Sequence, residues 1–334
     1  MKSTVSALIR AALKAVVLAL TVLGTAAAAE PDYAAFPFRI EILSVPSKTF
    51  TGQELLKGGA AGNDVTLAGE LRLPFAMLQG KVPAVILMHG AGGINSNADS
   101  WARFLNKAGV AVFILDSFSG RGLVSTVEDQ TQLDSFALMY DAYRALDVLA
   151  AHRLIRPDRI AVMGFSKGGV AALFSSGVRF QKAYGSANKF AAHVVMYASC
   201  NSRLEGDTNV SPVPIRLFHG TTDDYVSVVP CRAYVAELKA AGADVSLTEF
   251  PDTWHLFDAP SIPPVYELKK AQTTRKCQLR EGVNGVMYNA LTKTLYDVKT
   301  DACVEYGTHV GYNPVSTAGA EQGVLALFKQ TLLK

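Results

Sequence analysis

Short apolar segments alternate with longer amphipathic ones between residues 83 and 257. The short segments are rich in β-branched residues and apolar almost throughout, which is typical of strands covered on both faces. They lie at 84–89, 110–116, 160–164, 193–197, 215–219 and 245–250. The amphipathic segments predict helices at 98–108, 131–152, 168–178 and 229–241. This alternation predicts an α/β fold with a doubly wound, mostly parallel sheet and helices on both faces.

The segments on either side of this region complete a single predicted domain. Residues 39–45 and 65–73 have the pattern of an initial antiparallel ribbon, and a closing helix is predicted at 318–333. Between the last strand and that helix we predict an irregular insertion near 266–310. No internal repeat, charge block or flexible linker divides the sequence, so we assign residues 30–334 to one domain.

Residues 1–29 have the pattern of an export signal. A positively charged start is followed by an apolar run, and small residues end the segment before Glu30. Signal peptidase accepts small side chains at such positions, so we expect cleavage near Ala29. An uncleaved membrane anchor is the alternative, but the run from 15 to 29 has 15 residues, fewer than the roughly 18–20 that cross a bilayer. We therefore predict a secreted or periplasmic protein.

The net charge gives no support to an anionic partner once its location is considered. The 334 residues are 49% hydrophobic and 18% charged, which excludes a disordered chain. The net charge of +3 is of the sign that nucleic-acid or membrane partners favour. Lys2, Arg10 and Lys14 of the export signal account for all of it, because the other residues include 29 basic and 29 acidic side chains. We therefore predict no nucleic-acid partner and no stable membrane association after signal cleavage.

The most specific motif is the sequence Gly-Phe-Ser-Lys-Gly-Gly around Ser166. A Gly-x-Ser-x-Gly pattern is weak by itself, but here a predicted strand leads directly into it and a predicted helix leads out. This is the strand–turn–helix arrangement of a nucleophile elbow, whose glycines expose the serine at the carboxyl edge of the sheet. A glycine-rich turn with an N-capping serine is the alternative. We predict that Ser166 is a catalytic nucleophile.

A serine nucleophile needs a base, and the base needs a group that orients it. His255 follows the last predicted strand, at the carboxyl edge of the sheet and on the side of Ser166. We predict His255 as the base, with a structural loop histidine as the alternative. The acid should lie between the serine and the histidine along the chain. Asp223 and Asp224 both follow the strand at 215–219, and either could orient the imidazole.

Two backbone regions are candidates for the donors that stabilise the oxyanion of a tetrahedral intermediate. The N–H of Lys167 directly follows the nucleophile at the start of a predicted helix. The second donor should come from the glycine-rich loop at 89–93, where the backbone can approach a substrate closely. A phosphate-binding loop is the alternative for that segment, but its Gly-Lys-Ser/Thr ending is missing from the sequence.

With these residues assigned, the sequence resembles the dienelactone hydrolase family of α/β-hydrolases. The resemblance covers most of the chain from 83 to 257 and resumes near 311–314. It is carried by the motifs LMHGAGG at 87–93, DSFSGRG at 116–122, RIAVMGFSKGG at 159–169, HGTTDDYV at 219–226 and WHLFD at 254–258.

The resemblance implies a role for each residue of a Ser-His-Asp triad. It implies Ser166 as nucleophile, His255 as base and Asp223, rather than Asp224, as acid. It also implies the backbone amides of Ala91 and Lys167 as the two oxyanion donors. The choice between the aspartates and the choice of Ala91 rest on the resemblance alone.

The sequence departs from the founding members of the family in three respects. Their nucleophile is a cysteine where Ser166 stands here, and they are intracellular whereas this chain carries an export signal. Two arginines hold the carboxylate of their substrate; Arg121 matches one of them loosely, and Ala259 lies near the position of the other. We therefore expect a general carboxylic ester as substrate. Arg121 and Trp254 are candidates for the substrate pocket, with a surface salt bridge or simple packing as the alternative.

Four cysteines are compatible with two disulfides in an exported protein. Cys200 ends a predicted strand and Cys231 begins the helix after the next one, at the same edge of the sheet, so a bridge is geometrically reasonable. Cys277 and Cys303 bracket the insertion and form the second predicted bridge. Four cysteines allow three pairings. A zinc site is the alternative, but the sequence has no Cys-x-x-Cys motif or close His/Cys cluster.

The sequence therefore predicts an exported serine hydrolase that needs neither a cofactor nor a metal. We expect it to cleave small-molecule carboxylic esters through an acyl-enzyme intermediate. An amide or peptide hydrolase with the same triad is one alternative. A non-catalytic, exported binding protein with an α/β-hydrolase fold is the other.

Overall fold

The structure is a computed structural model that describes residues 38–59, 62–74 and 80–334. An eight-stranded sheet forms the centre of this part of the chain. The predicted export signal at 1–29 lies outside these residues, and the assignment of 30–334 to one domain stays a prediction. The strands of the described residues are, in chain order, β1 (Phe38–Thr49), β2 (Asn63–Pro74), β3 (Val82–Met88), β4 (Ala111–Asp116), β5 (Ile155–Phe165), β6 (His193–Met196), β7 (Ser202–Arg203), β8 (Ile215–Gly220), β9 (Val245–Phe250), β10 (Tyr266–Thr273), β11 (Leu279–Glu281), β12 (Met287–Asn289) and β13 (Glu305–Val310).

The order of the strands in the large sheet is β1-β2-β4-β3-β5-β6-β8-β9. The predicted antiparallel ribbon is confirmed, since β1 and β2 pair antiparallel to each other and β2 pairs antiparallel to β4. From β4 to β9 all neighbouring strands are parallel. The carboxyl ends of these parallel strands therefore meet at one edge, where the loops that carry candidate chemistry begin.

Helices cover both faces of the sheet, as the alternating pattern predicted. They are α1 (Gly52–Leu56), α2 (Ser96–Lys107), α3 (Ser135–Ala151), α4 (Lys167–Phe174), α5 (Val178–Tyr184), α6 (Val229–Ala240) and α7 (Pro314–Thr331). Helices α2 and α7 pack on one face, and the others pack on the opposite face. All seven residues of β3 are buried, with Ile86 on one face and Val85 and Leu87 on the other. None of the helices in the described residues is both long and apolar enough to span a bilayer.

Two predicted segments have a different local structure. The helix predicted at 168–178 ends at Phe174 and a second helix begins at Val178, because the N–H of Val178 donates to Asn209 instead of to its own helix. The insertion near 266–310 contains four strands rather than irregular structure. Strand β10 pairs with β13, and β11 lies between β12 and β7. These strands are short or mostly exposed, so they lack the apolar pattern that marks the central strands.

Both predicted disulfides are present. Cys200 bonds to Cys231 and Cys277 to Cys303, each with a Cα–Cα distance of 4.9 Å. The first joins the segment after β6 to the start of α6. The second closes a loop of the insertion between β10 and β13.

Arg121 lies in a buried ion pair, which excludes the surface salt bridge considered for it from the sequence. Its side chain is 4% exposed and that of Asp141, in α3, is fully buried. Two guanidinium nitrogens donate to the Asp141 carboxylate, at 2.8 and 2.9 Å. The other donors bind the backbone oxygens of Ser117 and Lys48 and the hydroxyl of Thr49. All five N–H groups of the guanidinium are thus used within the protein, and the pair ties the end of β1 to α3.

Removing the acid of this pair should strongly destabilise the fold. In Asp141→Ala the guanidinium stays buried without its counterion, which typically costs about 3–5 kcal/mol. We expect that loss in the free energy of unfolding, measured by urea denaturation.

The matched control is Asp244→Ala, which removes the exposed acid of the Arg216–Asp244 pair. Exposed pairs contribute at most about 1 kcal/mol, so this variant should unfold almost like the wild type. Equal effects of the two substitutions would contradict the structural role assigned to Arg121 and Asp141.

Candidate active site

The backbone at Ser166 makes a sharp turn between β5 and α4. Ser166 has φ of 53° and ψ of −114°, a conformation that costs energy in a residue with a side chain. Its N–H donates to the backbone oxygen of Met196 at 2.9 Å. The turn needs glycine on both sides. A Cβ on Gly164 would lie 1.9 Å from the oxygen of Gly168, and one on Gly168 would lie 2.2 Å from the oxygen of Met88.

Ser166, His255 and Asp223 form one chain of hydrogen bonds. His255 Nε2 lies 2.9 Å from Ser166 Oγ, and His255 Nδ1 lies 2.7 Å from Asp223 Oδ2. A carboxylate can only accept, so we assign the imidazole proton to Nδ1, which leaves Nε2 to accept the serine proton. The backbone oxygen of His255 accepts from the N–H of Gly311 at 2.9 Å. The segment before α7 thus helps to fix the loop that carries the histidine.

Asp223 is fully buried, and its carboxylate is held by several donors. Oδ1 accepts from the backbone N–H groups of Tyr225 and Val226, at 3.0 and 2.8 Å. Oδ2 also lies 3.3 Å from Nε2 of His219. Burial by itself would raise the pKa of Asp223, but the charge of His255 and the hydrogen bonds of His219 and His255 outweigh it and lower the pKa to about 2. The group is therefore an anion under ordinary conditions.

Asp224 binds the insertion instead of the imidazole of His255. Its carboxylate accepts from the backbone N–H of His309 at 2.7 Å and lies 2.8 Å from His309 Nδ1. Arg275 approaches the same carboxylate at 3.7 Å. The two neighbouring aspartates, which the residues alone did not distinguish, therefore have different surroundings.

A second buried carboxyl lies behind His255, and sequence reasoning missed it. The ring of Tyr197 packs edge-on against the imidazole of His255, with centroids 4.7 Å apart. Its hydroxyl donates to Asp258 Oδ1, and Trp101 Nε1 donates to Asp258 Oδ2, both at 2.7 Å. Burial raises the pKa of Asp258. The only sequence signal for this support is an aspartate three residues after His255 in an otherwise apolar stretch.

The glycine-rich loop after β3 is fixed by His89. His89 Nε2 accepts from the N–H of Ser117 at 3.1 Å, so its Nδ1 donates to the oxygen of Gly90 at 2.8 Å. Burial lowers the pKa of His89, which favours this neutral form. The oxygen of Ala91 accepts from the N–H of Thr126 at 2.7 Å. This bond helps to hold Ala91 in place beside the cavity that Ser166 also lines.

The side chain of Lys167 supports the cavity wall. Its ammonium group, in a side chain that is almost fully buried, donates to the backbone oxygens of Gln130, at 3.3 Å, and Leu133. Burial lowers the pKa of Lys167 to about 8, although Asp134 and Asp129 act in the opposite direction. Lys167, the residue after Ser166, therefore holds the 130–133 segment near the serine through these two hydrogen bonds.

A cavity of about 750 Å³ is lined by Ser166, Ala91 and Lys167. Its walls come from the end of β1 with α1, the 130–135 segment, residues 199–202 and the insertion. Among the described residues, no group of three or more His, Cys, Asp or Glu side chains is arranged to hold a metal ion.

Neither Arg121 nor Trp254 lines this cavity. Arg121 is held in its ion pair with Asp141, and Trp254 packs against His309 with ring centroids 5.1 Å apart. For Trp254 the structure shows the packing role that the sequence left open. Residues of the insertion, at 272–274, 279, 296 and 298, line the cavity instead. Sequence reasoning missed them because no motif marks them.

Comparison with known proteins identifies similar sequences and folds. The model of the dienelactone hydrolase family matches residues 71–280. A probable 2-oxo-3-(5-oxofuran-2-ylidene)propanoate lactonase from Bradyrhizobium sp is 31% identical over 122 residues, which are 34% of this chain and 49% of that protein. The chain thus matches about half the length of this curated relative.

Solved structures share the fold at low sequence identity. A dienelactone hydrolase-like promiscuous phosphotriesterase, P91, from metagenomic libraries has a TM-score of 0.57 at 18% identity, over 88% of this chain and 99% of that one. A putative dienelactone hydrolase from Klebsiella pneumoniae subsp. pneumoniae MGH 78578 has a TM-score of 0.53 at 16% identity, over 87% and 99% of the two chains. These neighbours support the α/β-hydrolase fold.

A methyl group at Gly168 should disrupt the turn at Ser166. Its Cβ would meet backbone oxygens of Met88 and His89, at 2.2 and 2.5 Å, which cannot move without displacing β3. We expect Gly168→Ala to lower the free energy of unfolding by about 2–5 kcal/mol, measured by urea denaturation. Gly80→Ala is the control, because a Cβ there meets nothing within 4 Å. A Gly168→Ala protein as stable as the Gly80→Ala protein would contradict the close approach.

Asp223 should make stability depend on pH in the acidic range. Its pKa is lowered in the folded state from 3.8 to about 2, so the stabilisation is present above about pH 4 and is lost as the pH falls through 2. The shift corresponds to about 2 kcal/mol. The difference in unfolding free energy between the wild type and Asp223→Asn should therefore shrink by that amount from pH 5 to pH 2 in urea titrations. A difference that is independent of pH would contradict the assignment.

Proposed function

The chain belongs to the dienelactone hydrolase family and is a hydrolase, and from this premise we propose that it is an exported serine esterase. The proposed triad is Ser166, His255 and Asp223. The observation that carries the proposal is the 2.9 Å approach of His255 Nε2 to Ser166 Oγ, at a turn whose backbone strain is typical of a nucleophile elbow.

In the proposed first step, His255 takes the hydroxyl proton of Ser166 while Oγ attacks the ester carbonyl. The resulting imidazolium is stabilised by the buried anion of Asp223. The tetrahedral intermediate then collapses, its bond to the alcohol oxygen breaks, and His255 gives the proton to the departing alcohol. The acyl group stays on Ser166.

In the second step, a water molecule gives a proton to His255 and attacks the acyl carbon. The bond from the acyl carbon to Ser166 Oγ breaks, the acid is released, and Oγ recovers its proton from His255. No cofactor takes part in this sequence of steps.

We propose the backbone N–H groups of Ala91 and Lys167 as oxyanion donors. Ala91 lies in the loop after β3 that His89 holds, and Lys167 is the first residue of α4. Both residues line the cavity with Ser166. Donors held in place before the reaction stabilise the developing charge without reorganisation.

Export is part of the proposal. Two disulfides are consistent with folding in an oxidising compartment. The predicted signal at 1–29 would deliver the chain there.

Substitution of the nucleophile tests the proposed reaction. Ser166→Ala should lower kcat/KM for 4-nitrophenyl acetate by about 10⁴-fold or more, because the attacking atom is lost. It should also abolish labelling by a fluorophosphonate probe. Rates are measured by release of 4-nitrophenolate from the ester and of 4-nitroaniline from the matched amide, 4-nitroacetanilide.

Ser186→Ala is the control, since Ser186 is exposed and binds Asp147 away from the cavity. It should keep wild-type turnover and labelling. Near-normal turnover by Ser166→Ala would refute the proposed nucleophile, and faster cleavage of the anilide than of the ester would point to an amidase.

A further inference from the structure

The chemistry of the cavity wall bears on which esters the site takes. A volume of about 750 Å³ is in the range of pockets that enclose a ligand of many atoms. It is far larger than an acetyl group requires. The wall therefore has room to contact a part of the substrate beyond the reacting ester.

The charged side chains of this wall are already used by the chain itself. Glu54 accepts from the backbone N–H and the hydroxyl of Thr51, at 2.7 and 2.9 Å, in the capping box of α1. Asp134 accepts from the N–H of Phe136 at 3.0 Å and caps α3. The Lys167 ammonium donates to two backbone oxygens. Arg121, which could have held a carboxylate, has no N–H group left. An anionic substrate group therefore meets, among the described wall residues, only the buried and hydrogen-bonded cation of Lys167, while Glu54 and Asp134 keep their negative charge.

Uncharged polar groups are present in the wall without partners. Asn63, Ser135, Ser202 and Tyr296 line the cavity. Asn63 is exposed and the other three are partly exposed, and none of the four side chains makes a hydrogen bond within the described part of the chain. They come from four separate elements: the start of β2, the start of α3, strand β7 and the insertion. An amide and three hydroxyls that can each donate and accept thus surround one space.

Aromatic side chains lie among these polar groups. Phe50, Tyr225 and Tyr296 also line the cavity. A substrate ring with apolar faces and hydroxyl groups at its edge can pack on such aromatic side chains, while its hydroxyls form hydrogen bonds with the polar side chains of the wall. An alkyl chain would leave the amide and the hydroxyls of the wall without partners, which costs binding energy.

We propose that the cavity binds a hydroxyl-rich ring that carries no anionic group and is part of the ester, as in an acylated sugar or an ester of a polyhydroxylated ring acid. The inference rests on the proposed esterase function, because it places that ring next to Ser166. A site that hydrogen-bonds substrate hydroxyls discriminates strongly against analogues that lack them.

Two pairs of esters test the proposal and distinguish the two positions of the ring. Methyl 6-O-acetyl-glucopyranoside and cyclohexylmethyl acetate carry the ring on the alcohol side, with and without hydroxyls. Methyl quinate and methyl cyclohexanecarboxylate carry it on the acyl side. In at least one pair, we expect kcat/KM of the wild type to be tenfold or more higher for the hydroxylated ester.

Variants that each remove one hydroxyl connect this preference to the wall. Tyr296→Phe and Ser202→Ala should each reduce the preference about threefold to tenfold, mainly through KM. Tyr266→Phe is the matched control: Tyr266 lies in the same insertion, is exposed and does not line the cavity. It should keep the wild-type preference.

Binding to the Ser166→Ala protein separates this inference from the proposed reaction. Calorimetric titration should show tighter binding of the hydroxylated ester of the preferred pair, without turnover. Tight binding with no hydrolysis by the wild type would refute the esterase and keep the cavity assignment. The inference would be overturned if cyclohexylmethyl acetate and methyl cyclohexanecarboxylate, which lack hydroxyls, were bound and turned over as well as their hydroxylated partners or better. A preference that is unchanged in Tyr296→Phe and Ser202→Ala would also overturn it.

Discussion

Close backbone packing at Gly168 is the constraint on which the candidate site depends. A Cβ there would overlap the backbone oxygens of Met88 and His89. A Cβ on the next residue, Gly169, would lie 2.8 Å from the oxygen of Met196. The start of α4 is therefore pressed against the carboxyl ends of both β3 and β6. Because β3 continues into the loop of Ala91, this contact sets the distance between that loop and Ser166. The strained serine conformation persists because the surrounding sheet holds it in place.

The inner strands of the central sheet could be predicted from the sequence because they are buried on both faces. Burial on both faces leaves an apolar run with little alternation, which together with β-branched residues predicts β3 and β4. The insertion could not be predicted in the same way. Strand β10 is exposed along most of its first half, and its pairing with β13 joins residues more than thirty positions apart. Local pattern contains no information about such a contact.

The candidate site was predictable to the extent that motifs follow strand ends. Ser166 and His255 follow β5 and β9, so the parallel sheet brings them to the same edge. The neighbouring aspartates are a different case, since Asp223 and Asp224 share the strand, the loop and the charge. Their tertiary contacts distinguish them. Two backbone N–H groups and two imidazoles surround Asp223, whereas His309 and Arg275 contact Asp224. Arg121 shows the same limit, because its partner Asp141 lies on another element.

The insertion is attached to the same loops that hold the proposed acid and base. Asp224 binds His309 of β13, and the next residue, Val310, forms a bridge with His255. Residues of this insertion also form part of the cavity wall. The proposed recognition surface and the proposed triad therefore do not occupy separable modules in this molecule. An exchange of the insertion between relatives, made to change substrate range, would also remove the β-bridge to the backbone of His255 and the contacts of Asp224, so substitutions within the existing strands would disturb the site less.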